Sequence, residues 1–223
     1  MAKTVGMVTI GQSPRVDVVP EMARILGPDV RIVEAGALDG LTPDQVEALR
    51  PRDGDHTLVT RLADGTSVTL GERLILPLMQ ERIHELSRRG AEVIALLCTG
   101  EFPPFSCDGL LVRTQPVIFD VVRSLASGLR LGVLIPLKEQ VADAEKRWIP
   151  AAREVVVEYG SPYGDPAEIE IAARRLARRG AEIVVMDCMG YTLGMKETVK
   201  RFVPRPVVLS RSILARILAE LVS

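Results

Sequence analysis

An internal repeat constrains the fold of this chain more than any other feature of the sequence. Residues 86–100 match residues 176–190 at an offset of 90, with eight identical positions. A second pair of similar segments, residues 5–10 and 131–136, is separated by 126 residues. Because the two offsets differ by 36, the sequence predicts two similar units, the first of which carries an insertion of about 36 residues.

Each copy of the repeat predicts a helix that is followed by a buried strand. In the second copy Asp165 is an N-cap residue, Glu168 is the matching capping glutamate, and Gly180 ends the helix. The runs at 93–97 and 183–186 are apolar throughout, which is typical of strands that are covered on both faces of a parallel sheet.

Strands and helices alternate along the rest of the chain. Strands are expected at 5–10, 31–35, 110–114, 130–135, 154–159 and 206–210, and helices at 16–26, 116–126, 138–149 and 192–202. This alternation predicts an α/β protein with two doubly wound lobes. The inserted block is expected to form a short helix opened by a capping box at Thr42 and a hairpin that turns near Asp64 and Gly65.

Composition excludes several functional classes. Acidic and basic residues nearly cancel, 29 against 28, which argues against nucleic acid as the main partner. No apolar run approaches the roughly 20 residues of a membrane span, and no signal peptide is recognisable, so a cytoplasmic location is expected. The sequence contains no P-loop and no dinucleotide fingerprint, and its two histidines exclude a multi-histidine metal centre. We therefore expect neither a cofactor nor a metal.

Two of the three cysteines occupy equivalent positions in the repeat. Cys98 and Cys188 each follow a buried strand, whereas Cys107 has no counterpart. Ligands of open α/β sheets bind beyond the carboxyl ends of the strands, so two similar lobes related by a pseudo-twofold axis would bring both thiols to a shared cleft. Two thiols suit a reaction in which one group removes a proton and the other delivers one to the opposite face.

Other chemistry remains compatible with the same two cysteines. One thiol could add to the substrate as a nucleophile while the other protonates it. The alternative to any catalytic role is that each cysteine is a small buried apolar residue.

Polar and small residues near the strand ends are candidates for substrate binding. The loop after the first strand could offer hydroxyl and guanidinium donors to a substrate carboxylate, or Arg15 could instead lie in solvent at the start of a helix. Thr114 and Ser210 could add further donors, or could only cap the helices that follow them. The full set of candidates is Gln12, Ser13, Arg15, Thr99, Gly100, Thr114, Met189, Gly190 and Ser210.

Segments distributed over nearly the whole chain resemble the AroM family. They are residues 9–15, 37–41, 131–136, Trp148, 187–190 and 209–219. AroM-like proteins in turn resemble the aspartate/glutamate/hydantoin racemase superfamily, whose members have two Rossmann-like lobes with the active site between them. Relatives in that superfamily include amino-acid racemases, maleate isomerase and arylmalonate decarboxylase.

The resemblance assigns the two thiols of that superfamily to Cys98 and Cys188. In the racemases the run that begins at the first thiol is commonly Cys-Asn-Thr, and the run around the second thiol is commonly Gly-Cys-Thr. Here the runs are Cys98-Thr99-Gly100 and Asp187-Cys188-Met189. The missing Asn and Thr would be donors that orient an amino-acid substrate, which argues against glutamate itself.

The resemblance also implies a domain plan and an activity. It predicts a first lobe at 1–115 with the inserted block near 36–72, a second lobe at 116–210, and a C-terminal helix at 211–223 that returns to the first lobe. The expected activity is cofactor-independent racemisation or isomerisation of a small carboxylate-bearing or hydantoin-like metabolite. The alternatives are a non-catalytic small-molecule-binding or regulatory protein on the same fold, or a thiol-dependent decarboxylase. We expect the partner to be an anionic small molecule, and we expect binding neither to nucleic acid nor to a membrane. The resemblance is also compatible with a homo-oligomer.

Overall fold

Parallel β-strands form the framework of the protein, whose computed structural model describes residues 3–223. In chain order the strands are β1 (Lys3–Thr9), β2 (Val30–Gly36), β3 (Thr57–Arg61), β4 (Ser67–Gly71), β5 (Val93–Leu96), β6 (Leu110–Val112), β7 (Arg130–Ile135), β8 (Glu154–Tyr159), β9 (Ile183–Met186) and β10 (Val207–Leu209).

Helices alternate with these strands. They are α1 (Val19–Leu26), α2 (Pro43–Glu47), α3 (Glu72–Arg88), α4 (Thr114–Ala126), α5 (Val141–Trp148), α6 (Pro166–Arg178), α7 (Leu193–Phe202) and α8 (Ser210–Leu221). Short 3₁₀ turns at Lys138–Gln140 and Ile149–Ala151 flank α5. The predicted α/β class with mainly parallel sheets is confirmed. None of the helices in residues 3–223 is both long enough and apolar enough to cross a membrane.

The two four-stranded sheets have the same strand arrangement. One has the order β2-β1-β5-β6 and the other β8-β7-β9-β10, and all pairings within them are parallel. The register repeats as well, because Val5 pairs with Val93 and Leu131 pairs with Ile183. These pairs are related by the offsets found in the sequence, so the sequence repeat is a repeat of sheet structure.

A glycine in each central strand makes room for the turn that precedes the cysteine-bearing strand. A Cβ on Gly6 would lie 3.0 Å from the Cβ of Ala91, and one on Gly132 would lie 2.9 Å from the Cβ of Ala181. The distance at Gly132 is shorter than real Cβ contacts, and the distance at Gly6 is tighter than most of them, so the close packing of helix, turn and sheet favours glycine at both positions.

The chain divides into two compact units. The first extends to Thr114 and includes Ala215–Ser223, and the second is Gln115–Leu214. Buried apolar side chains from the sheet and its helices fill each unit: the first buries Ile75, Met79, Ile83 and Leu86 of α3, and the second buries Ile169, Ala172, Ala173 and Leu176 of α6. The pseudo-twofold axis that would relate the two units, and the cleft that they would share, stay predictions.

The inserted block contains the elements that the sequence predicts. Strands β3 and β4 pair antiparallel around the expected turn. The capping box at Thr42 is also present, since its Oγ1 accepts from the backbone N–H of Gln45 while the Gln45 side chain accepts from the backbone N–H of Thr42. Local side-chain to backbone bonding of this kind is visible in sequence because its partners lie three residues apart.

One local prediction was wrong. The Glu168 carboxylate does not complete a capping box with Asp165 but accepts from the backbone N–H of Ser161 at 2.8 Å. Helix α1 begins at Val19, three residues after the expected start. The N–H of Arg15, before this helix, donates to the Glu34 carboxylate at 2.7 Å.

Candidate active site

Cys98 and Cys188 have the same local geometry. Each lies two residues after the last residue of its strand, β5 or β9, and each is half-buried. The backbone N–H of Gly100 donates to Sγ of Cys98 at 3.4 Å, and the N–H of Gly190 donates to Sγ of Cys188 at 3.3 Å. An N–H donor aimed at sulfur favours the thiolate, which is the form that accepts a proton or attacks as a nucleophile.

The residue before each cysteine fixes the position of the thiol relative to the sheet. The N–H of Leu97 donates to the carbonyl of Val8, and the N–H of Asp187 donates to the carbonyl of Leu134, each at 2.8 Å. Both carbonyls belong to the central strands β1 and β7. The two cysteines therefore leave the carboxyl ends of their sheets at equivalent points.

Thr114 and Ser210 form a second matched pair at the strand ends. Their hydroxyls are fully buried and donate to the carbonyls of Leu96 and Met186, the last residues of β5 and β9. These bonds join the start of α4 or α8 to the strand that carries the thiol. The hydroxyl hydrogens are thus engaged by the backbone, and a substrate contact for either residue stays a prediction.

The loop after β1 is held by contacts distant in sequence. The Gln12 side chain joins two backbone groups, donating to the carbonyl of Leu38 at 3.4 Å and accepting from the N–H of Ala63 at 2.8 Å. The N–H and hydroxyl of Ser13 both donate to the Asp39 carboxylate, at 2.7 and 2.6 Å. Asp39, which the sequence analysis did not single out, therefore organises this loop.

Arg15 is buried, contrary to the interpretation that places it in solvent at the start of a helix. It is 3% exposed. Its Nε and Nη2 donate to the Asp17 carboxylate at 2.8 Å, and its Nη1 donates to Thr9 at 2.9 Å and to Thr60 at 3.4 Å. Thr60 belongs to the inserted hairpin, so this arginine links the β1 loop to the insertion. A role in substrate binding stays a prediction.

Asp187, next to Cys188, is the centre of a buried polar network. Its carboxylate is 4% exposed and accepts from Nη2 of Arg147 at 2.6 Å and from Nε1 of Trp148 at 2.9 Å. The equivalent residue of the first unit is Leu97, so the network has no counterpart there. It connects the backbone beside the second thiol to helix α5.

Two tyrosines add to the polar surroundings of Cys188. Tyr191 is fully buried and donates its hydroxyl to the carbonyl of Gly160 at 2.8 Å. Burial, followed by the negative charge of Cys188, raises the pKa of this phenol well above its ordinary value, so it remains a neutral donor. A Cβ on Gly190 would lie 2.5 Å from the hydroxyl oxygen of Tyr163, which explains the glycine at this position.

Apolar residues surround Gly100, two positions after Cys98. A Cβ on Gly100 would lie 3.1 Å from a methyl carbon of Leu58 and 3.4 Å from the ring of Phe102. Phe102 in turn packs near Phe105, with the ring centroids 6.1 Å apart. The two cysteine loops thus share a backbone geometry, but the glycines that follow the cysteines have different neighbours.

Two further site candidates flank Cys188 and Cys98. Met189 is buried, and its carbonyl accepts from Nε and Nη2 of Arg211 at 3.0 and 2.6 Å. Thr99 is also buried. All three cysteines are free thiols, and Cys107 packs against the core of the first unit. Within residues 3–223, no group of three or more His, Cys, Asp or Glu side chains could hold a metal ion.

The fold and the repeated thiol geometry define a class: an α/β protein of two parallel-sheet units, each with a cysteine just beyond a buried strand. A model of the family described as "AroM protein" matches residues 5–222. The chain belongs to the AroM family. Comparison with curated protein sequences gives no match.

Solved structures of the racemase superfamily share the fold. A variant of arylmalonate decarboxylase in liganded form is 16% identical, with a TM-score of 0.64 over 99% of this chain and 92% of that chain. Aspartate racemase from Picrophilus torridus is 14% identical, with a TM-score of 0.61 over 99% and 94%. Allantoin racemase from Klebsiella pneumoniae is 13% identical, with a TM-score of 0.64 over 99% and 87%. The family model thus confirms the predicted resemblance to the AroM family, and the solved structures show that the fold is shared.

Proposed function

We propose that this protein is a cofactor-independent racemase or isomerase that uses Cys98 and Cys188 as an acid/base pair. The observation that carries the proposal is the repeated geometry of the thiols, each of which accepts a backbone N–H from the residue two positions later. Packing alone explains a buried cysteine, but it does not require the same N–H to sulfur contact in both copies of a repeat.

The reaction balances with these two groups alone. The thiolate of one cysteine removes the hydrogen on the α-carbon as a proton, and the carbon's electron pair delocalises into the adjacent carbonyl or carboxylate. The thiol of the other cysteine delivers a proton to the opposite face, which inverts the centre. The two sulfurs have then exchanged protonation states, so the reverse reaction begins from the product enantiomer.

The proposed substrate class is a small metabolite with a carboxylate or a hydantoin-like ring. The names of the similar structures support this class, since they include racemases of aspartate and of allantoin. Proton chemistry of this kind needs thiols that are kept reduced, and all three cysteines are free. The proposal therefore locates the protein in the cytoplasm, where thiols stay reduced.

Hydrogen exchange at the substrate α-carbon tests the proposal. The protein is incubated in D₂O with enantiopure amino acids, 5-substituted hydantoins and other carboxylates that have an α-hydrogen, and deuterium incorporation is followed by ¹H NMR. We expect exchange with inversion for at least one compound, and its loss in Cys98→Ser and in Cys188→Ser. Cys107→Ser is the matched control and should retain it, because Cys107 has no counterpart in the repeat.

Other outcomes identify the alternatives. Release of CO₂ from a malonate-type substrate that depends on one thiol alone would indicate a decarboxylase, the activity named for one similar structure. Metabolite binding that survives both serine substitutions, with no exchange in the wild type, would indicate a binding protein. Either result would overturn the two-thiol proposal.

A further inference from the structure

Arg211 is a buried cation beside the loop that carries Cys188. It lies in the first turn of α8 and is 1% exposed. Its Nε and Nη2 both donate to the carbonyl oxygen of Met189, at 3.0 and 2.6 Å. Burying a guanidinium is costly unless its N–H groups are hydrogen-bonded, so we expect this contact to be a stable part of the loop structure.

The Met189 carbonyl belongs to the same peptide group as the N–H of Gly190. That N–H is the one that donates to Sγ of Cys188 at 3.3 Å. A trans peptide is planar, with its C=O and N–H pointing in opposite directions. Fixing the oxygen therefore fixes the direction of the N–H. A charged donor on the oxygen also polarises the amide, which strengthens the hydrogen bond made by its N–H.

The other copy of the repeated contact has no arginine at the equivalent position. Thr114 and Ser210 make equivalent contacts to the strand ends, so the residue that matches Arg211 is Gln115. A glutamine side chain carries no charge and cannot polarise a carbonyl as a guanidinium does.

We propose that Arg211 is a positioning residue that holds the Met189–Gly190 peptide so that its N–H stabilises the thiolate of Cys188. The inference rests on the proposed role of Cys188 as an acid or base. Arg211 acts through the peptide group and not on the substrate. It makes the two thiols unequal, with Cys188 having the more rigid and more strongly polarised N–H donor.

Amide exchange in the wild-type protein is the first test. Gly190 and Gly100 are matched, because both are buried and both donate to the cysteine two positions earlier. We expect the Gly190 amide to exchange with D₂O about tenfold more slowly than that of Gly100, as measured by NMR. Equal rates, or faster exchange at Gly190, would contradict the proposal without the use of any variant.

Thiol alkylation in variants is the second test. Arg211→Gln introduces the residue found at the matching position of the repeat, and Arg211→Lys keeps the charge on a single ammonium group. Iodoacetamide labelling is followed by peptide mass spectrometry, so that Cys98 in the same sample is the internal control. We expect Cys188 labelling to slow by about tenfold in Arg211→Gln and by less in Arg211→Lys, with Cys98 changed less than about twofold.

The control variant is Gln115→Ala, which should leave the ratio of the two labelling rates unchanged. An unchanged ratio in folded Arg211→Gln, or an equal fall at both cysteines, would overturn the proposal. If neither Arg211 variant folds, the comparison of Gly190 with Gly100 in the wild type decides. Because exchange and labelling need no substrate, both results are informative even if no turnover is found. Where turnover is found, Arg211→Gln should lower kcat more than it changes KM, with partial recovery in Arg211→Lys.

Discussion

The hydroxyl of Ser210 donates a hydrogen bond of 2.8 Å to the carbonyl of Met186, the last residue of β9 and two positions before Cys188. Thr114 makes the equivalent bond to Leu96, two positions before Cys98. In each unit, a buried hydroxyl at the start of a helix thus fixes the end of the strand from which the thiol emerges. The candidate site depends on these supporting contacts as much as on the cysteines.

Removing the Ser210 hydroxyl should destabilise the protein. In Ser210→Ala the contact with the Met186 carbonyl is lost in a fully buried environment, which costs about 1–3 kcal/mol. Urea unfolding measures the change. Ser124→Ala is the matched control: its hydroxyl donates to the carbonyl of Asp120 at 2.8 Å on an exposed helix surface, where water replaces the bond. A loss at Ser210 no larger than at Ser124 would contradict the structural role.

The glycines of the central strands should not tolerate a methyl group. We expect Gly132→Ala to lower the free energy of unfolding by about 1–3 kcal/mol, because its Cβ would lie 2.9 Å from the Cβ of Ala181. Adding Ala181→Gly in the same chain should restore part of the loss, since it removes the opposing atom. Thermal and urea unfolding of the single and double variants measure both effects.

Gly194→Ala is the control for Gly132→Ala, because we expect it to raise the free energy of unfolding and not to lower it. It lies in the first turn of α7, and the nearest atom to its built Cβ is 3.6 Å away. Gly194→Ala should therefore stabilise the protein by about 0.4–1 kcal/mol, because alanine reduces the conformational freedom of the unfolded chain. Equal destabilisation at both positions would show that the predicted clash at Gly132 is not the cause.

Neutralising Asp187 should destabilise the second unit and change the fluorescence of Trp148. Asp187→Asn removes the carboxylate charge that faces the largely buried Arg147, at a cost of about 3 kcal/mol. Trp148 is the sole tryptophan and its Nε1 bonds to the same carboxylate, so its emission reports directly on the contact.

The control for Asp187 is an exposed ion pair. Glu170→Gln removes the partner of Arg174 in a pair whose side chains are 43% and 56% exposed. Such pairs contribute about 0.3–0.5 kcal/mol, and Trp148 emission should not change. If Asp187→Asn leaves both stability and emission unchanged, the network is not part of the folded core.

The free energy of unfolding should depend on pH through the protonation of the Glu34 carboxyl group. Burial raises its pKa above the ordinary 4.5, despite the N–H of Arg15 and the Arg15 charge, which lower it. The folded state therefore binds this proton more tightly than the unfolded state. The stability so gained is fully present below pH 4.5 and is lost as the pH rises through the folded-state pKa. The stability of Glu34→Gln relative to wild type should consequently increase between about pH 4 and pH 7.

Glu182 should behave in the opposite way. Its pKa is lowered, first by the backbone N–H of Arg130 and then by the charges of Arg153 and Arg130. Its contribution to stability is therefore present above its ordinary pKa and is lost as the pH falls. Glu182→Gln should lose stability relative to wild type as the pH rises from the acid range to about pH 5. Urea unfolding at several pH values tests both variants, and trends of the same sign would contradict the assignment.

The sequence alone determined the framework of this protein. Helix and strand periods, caps and turns depend on residues a few positions apart, so the α/β class, the hairpin and the capping box of the insertion were predictable. The repeat went further, because an offset of 90 residues selected Cys98 and Cys188 together and separated them from Cys107. Their matched hydrogen bonds to Gly100 and Gly190 follow from that repeat.

Only the tertiary structure decided how the polar side chains are used. Arg15 donates to Thr60, which is 45 residues away, and Ser13 donates to Asp39, which is 26 residues away. Arg211 donates to the carbonyl of Met189, which is 22 residues earlier, and Trp148 donates to the carboxylate of Asp187, which is 39 residues later. No local pattern encodes such contacts, because they form only where strands and loops distant in the chain are brought together. A buried polar group must find a partner wherever the fold supplies one.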